Sequence, residues 1–163
     1  MMIEEITLTD IQDFMVREVA TSTEFADLAT SLLGVTFKFY RGVDLRYEEY
    51  ADPYFVSYKF HSQNPEGEDP TWFLQYIIGL PDPADTVSPA PDTDGVIVTP
   101  LTDHIEALAV KALGIIRQGL SSGGLNGQCN MRIADANILI TEVGEADDVQ
   151  AIVTLRFQAF NTL

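Results

Sequence analysis

Two histidines, His61 and His104, and a single cysteine, Cys129, are all the imidazole and thiol chemistry this chain offers. Neither histidine belongs to an H-x-x-x-H spacing, and no second cysteine accompanies Cys129, so a zinc set of His and Cys ligands has no frame. Cys129 sits in GQCN, a Gly/Asn setting that predicts a turn and supplies no group to activate a thiolate. No G-x-S-x-G, Walker-type or G-x-G-x-x-G sequence occurs. The glycine-rich SSGGLNGQ (121–128) follows a helical pattern instead of opening one, and so lacks the helix N-terminus that holds a phosphate. PDTDG (91–95) is a fragment of a calcium loop without the twelve-residue frame and its closing Glu. Paired carboxylates for glycoside chemistry stay open, with no two of them singled out. The sequence therefore names no catalytic, cofactor-binding or metal-binding residue.

What the carboxylates do have is a distribution. Asp and Glu number 25 against nine Lys and Arg, a net charge of −16. Nine carboxylates and no Lys or Arg lie between Lys59 and Lys111, and five lie between Arg132 and Arg156. Segments of one sign predict a strongly negative surface, unsuited to gripping nucleic acid or anionic lipid, which both need cations against phosphate. The turn 142–148 carries Glu142, Glu145, Asp147 and Asp148 in a tight hairpin turn, which presents its charges more rigidly than the proline-rich loop. The chain has 163 residues, 46% of them hydrophobic, with nine Phe and six Tyr. That is enough for one folded domain over 1–163. No signal peptide and no apolar run of about 18 residues appears, so the expectation is a soluble protein made in the cytoplasm, with no membrane partner.

The elements that must carry this surface centre on LTDHIEALAVKALGIIRQGL (101–120). Leu101, Ile105, Leu108, Ala112, Ile115, Ile116 and Leu120 recur at helical steps. Thr99 and Pro100 read as N-cap and first helical residue, and SSGG ends the helix. Its other side, with Ala107, Val110, Gly114 and Arg117, is small and only half polar, which suits either contact with another subunit or a partly covered core helix. Upstream, 1–20 reads as an extension with helical character (Thr9/Gln12 as capping box; Ile11, Phe14, Met15 and Val19 on one face). Ser22–Leu33 is a helix with Thr21-x-x-Glu24 ahead of it and Gly34 as its stop. From Val35 the period becomes two: Val35, Phe37 and Phe39, then YFVSYKFH (54–61) with Val56, Tyr58 and Phe60 facing one way and Ser57 and Lys59 the other, then TWFLQYIIGL (71–80) with Trp72, Leu74, Tyr76 and Ile78 as the inner row. The segment 81–95, with four prolines and four aspartates, predicts a mobile acidic loop. NMRIADANILIT (130–141) and VQAIVTLRFQAF (149–160) form a closing hairpin. The fold class is α+β: a two-layer sandwich, a mainly antiparallel sheet of about five strands covered on one face by two main helices.

The whole pattern resembles the tail-completion or tail-terminator proteins of long-tailed bacteriophages. The likeness spans roughly 22–160: TSTEFADLATSLLG followed by FKFYRG, the aromatic strand pair, the proline-rich loop ending in DGV, the long helix and the closing VTLRFQAF. It implies an α+β structural subunit, without enzymatic activity or cofactor. Such a subunit forms a homo-oligomeric ring, commonly of six, in the virion tail, between tail tube and head-connector proteins. Carboxylates lining such a ring would let DNA pass without sticking, and Glu142, Glu145, Asp147 and Asp148 are the lumen candidates. Two other readings compete: a small-ligand-binding or enzymatic α+β domain with a site of scattered residues, and an acidic mimic that blocks a partner's basic DNA-binding surface.

Overall fold

The computed structural model describes residues 6–42, 52–63, 71–81, 90–98, 100–123, 125, 130–141 and 148–160. The chain enters through α1 (Leu8–Ala20), capped by Thr7: its side chain accepts from Asp10 N, and the Asp10 carboxylate accepts from Thr7 N. The capping box therefore lies two residues before the Thr9/Gln12 pair read from sequence. Ile11, Met15, Val16 and Val19 are buried, so α1 is part of the core. Phe14, expected on that face, is only half-buried, and the amide-bearing Gln12 takes the buried place. It fits there because its Nε2 donates to the Ser57 carbonyl at 3.1 Å. Helix α2 (Thr23–Leu33) is capped by Ser22 and closed by Gly34 at φ 65, a left-handed residue that only glycine adopts without cost.

Strand β1 (Lys38–Arg41) begins three residues later than the alternation from Val35 predicts, although Phe37 ahead of it is buried. It pairs in parallel with β2 (Tyr54–Gln63). β3 (Thr71–Pro81) runs antiparallel to β2, as expected. The long helix α3 (Pro100–Ser121) follows, then β6 (Asn130–Thr141) and β7 (Asp148–Phe160). The main sheet has the order β1-β2-β3-β7-β6. It is an α+β sandwich as predicted, but the sheet is mixed, because β1 is parallel, and three helices stand where two main ones were counted. α1 and α3 lie on the sheet, while α2 packs on α3 and sends Phe25 among Phe37, Phe39 and Phe55.

Between β3 and α3 the expected mobile loop is in part a hairpin, β4 (Ala90–Pro91) with β5 (Ile97–Val98). Asp92 builds it: its side chain accepts from the backbone N–H of Asp94 and of Val96, and Gly95 takes φ 81. Composition alone does not encode this local hydrogen bonding; 82–89 of the expected loop lie outside the described residues.

Sheet phase is fixed by the core. Leu74, Tyr76 and Ile78 of β3 and Ala151, Val153, Leu155 and Phe157 of β7 are buried under the helices, as their alternation predicts. β2 is the exception. Phe55, not Val56, joins the helix-side core and stacks on Tyr76 with ring centroids 5.0 Å apart. Val56 and Tyr54 turn to the opposite face. Three successive large apolar residues, YFV, leave the phase of a strand undetermined, and a register shift between Lys59 and His61 disturbs it further.

Candidate functional site

The outer side of α3 is where the sequence-derived interface residues meet. Val110 is 51% exposed, Gly114 and Arg117 are exposed, and Ala107 is half-buried; their spacing keeps all four on one stripe. The opposite stripe is spent on the core: Ile105, Leu108, Ala109, Ala112 and Ile116 are wholly buried. Tyr76 donates its hydroxyl to the Ala109 carbonyl at 2.8 Å, which anchors α3 to β3, and burial pushes that phenol far above its ordinary range.

Beside this stripe runs an open trough, lined by Leu28 of α2 and by Asp103, Glu106, Ala107, Val110 and Lys111 of α3. Its volume is about 470 Å³, but it lies open along one side. A small molecule would keep much of its surface in water there, whereas ligand pockets bury most of it. The trough suits a polypeptide. Leu28, half-buried on α2, packs against the core and forms the trough's wall, a placement that only the packing of α2 on α3 creates. The rim is acidic. Lys111 is held by Glu24 at 3.0 Å, while Asp103 and Glu106 make no ion pair among the described residues. A second, polar groove lies between the α1–α2 junction and the end of α3, lined in part by Glu18, Ser22, Gln118 and Gly119.

The sheet face away from the helices carries an apolar row across four strands. Val56 pairs with Ile77, Ile77 with Ile152, and Ile152 with Leu139. Val56 is 2% exposed and Leu139 57%, so the row opens toward the β6 edge. The next row holds Tyr54, Gly79, Gln150 and Thr141, in which the Gln150 amide donates to the Tyr54 hydroxyl at 2.6 Å.

The remaining sequence candidates are not gathered. His104 is half-buried on α3, and His61 lies in β2 opposite Phe73. Among the described residues no group of His, Cys, Asp and Glu is arranged to hold a metal ion. Glu142, Glu145 and Asp147 lie outside the described residues, as does Cys129; Asp148 opens β7, its backbone opposite Pro81. No described helix is long and apolar enough to cross a membrane. Against known protein families and curated protein sequences the chain finds no match.

Proposed function

We propose that this chain is a structural subunit of a bacteriophage tail, a terminator or completion protein that joins copies of itself into a ring between tail tube and head connector. The observation that carries the reading is the pair of sheet ends. β6 offers a twelve-residue outer edge and β1 a four-residue one, and neither has a strand beside it among the described residues. An open edge is a row of unpaired main-chain donors and acceptors, ready to pair with another chain. Two unlike edges at opposite ends favour a head-to-tail joint, which closes into a ring when its rotation closes. Backbone pairing also needs no opposite charge, which matters when each copy carries −16. Six copies is the number the resemblance implies.

Leu139→Lys tests the joint. It places a charge on the exposed face of the β6 edge while lowering the repulsion between copies, so a loss of assembly reports the edge and not the net charge. Light scattering after size exclusion should show a multimer for the native chain and a shift toward monomer for the variant. Unchanged assembly would remove the β6 edge from the joint.

A further inference from the structure

We propose that the trough between α2 and α3 docks a basic amphipathic helix of a different protein. The floor supplies the apolar half of the recognition. Val110 stands exposed between the small residues Ala107 and Gly114, with Leu28 as side wall. A Cβ added at Gly114 would meet nothing within 4 Å, so the backbone of an incoming helix can come close there. From Asp103 to Gly114 the stripe runs roughly 16 Å, about three turns of a partner helix.

The rim supplies the polar half and decides the occupant. Asp103 and Glu106 of α3 carry no ion pair among the described residues, and the single lining cation, Lys111, is already taken by Glu24. An apolar floor under an unneutralised acidic rim complements apolar side chains flanked by Lys or Arg. A second copy of this chain fits worse. Its exposed apolar hairpin, Val96 and Ile97, arrives with Asp92 and Asp94 and would set carboxylates against Asp103 and Glu106. The copy-to-copy joint and this trough are thus different surfaces, and the inference does not depend on ring formation.

The probe is a labelled synthetic peptide of about 18 residues with Leu at i, i+3, i+4 and i+7 and Lys on the flanks, set against a scrambled peptide of the same composition. Fluorescence anisotropy on the full chain reads binding. The patterned peptide should bind at least about tenfold more tightly than the scrambled one, and Val110→Asp should weaken it by about tenfold or more. Gly114→Gln projects into open space on the same stripe and should weaken it in the same direction, which guards against a misfolded Val110→Asp. Asp103→Asn with Glu106→Gln should weaken binding several-fold and flatten its dependence on salt. Asp94→Asn with Asp135→Asn removes the same charge outside the trough and should leave it within about twofold. Equal binding of both peptides, or equal effects of the two charge-neutralised pairs, would reduce the attraction to bulk charge and overturn the proposal. So would indifference to both Val110→Asp and Gly114→Gln. If those two variants instead abolish self-association, the occupant is a second copy and the proposal fails while the ring survives.

Discussion

Gly79→Ala should destabilise this protein, against the usual sign for that change in a strand. Alanine ordinarily gains about 0.5–1 kcal/mol over glycine in a strand interior, because the unfolded chain loses less freedom. Here the Tyr54 ring lies across Gly79 from the neighbouring strand, and a Cβ at residue 79 would sit 2.6 Å from Tyr54 Cε1 and nearer still to Cζ and the hydroxyl. Tyr54 is 2% exposed, so the ring cannot swing away without leaving its packing and the Gln150 amide. Overpacking costs about 1–3 kcal/mol and the lost hydrogen bond about 0.5–1.5. The net is a loss of about 0.5–4 kcal/mol, centred on about 2 kcal/mol, which lowers Tm by several degrees for a chain of this length. Urea unfolding with an unchanged slope measures it. On a Tyr54→Ala background the clash is gone and the same substitution should become neutral or stabilising. A Gly79→Ala protein more stable than native, or one with the same effect on both backgrounds, would refute this account of the sheet face away from the helices.

Ser57 is wholly buried and its hydroxyl has no hydrogen-bond partner among the described residues, so Ser57→Ala should leave stability unchanged or raise it by up to about 2 kcal/mol in urea unfolding. The Asp13 carboxylate accepts from Arg17 Nε at 2.9 Å, which holds its pKa below the ordinary range against partial burial, with Arg17 and Arg41 as the nearby charges. A lowered folded pKa contributes stability above the unfolded value that is lost as pH falls through the folded one. Asp13→Asn should therefore cost up to about 1 kcal/mol near neutrality, and the gap from native should close in strong acid. Neutralising Glu142, Glu145, Asp147 and Asp148 together should preserve ring formation and introduce DNA binding that fades as salt rises, read by gel shift; no DNA binding would separate this charge from a DNA passage.

Elements whose two sides differ were legible in the sequence. β7 alternates Ala151, Val153, Leu155 and Phe157 with Gln150, Thr154, Arg156 and Gln158, and α3 sets Ile105, Leu108 and Ile116 against Val110 and Gly114, so burial follows pattern in both. β2 was not legible, because both of its faces are apolar near Tyr54–Val56 and only the partner strand sets its phase. The parallel pairing of β1 with β2 is a matter of topology, which no local period encodes. For the same reason the stripe Ala107, Val110, Gly114 and Arg117 could be named in advance and the trough could not. Leu28 reaches it from α2, and only the packing of α2 on α3 brings the two together.

The claim that copies of this chain build a ring is tested most directly by molar mass in solution. Light scattering after size exclusion, at protein on the order of tens of micromolar and at low and raised salt, should give a species near six times 18.0 kDa, favoured by salt as repulsion between copies is screened. If the free protein stays monomeric, adding tail tubes should recruit it as a ring at the tube end, visible by negative-stain microscopy. A single 18.0 kDa species under every salt condition, and still with tail tubes present, would contradict the claim.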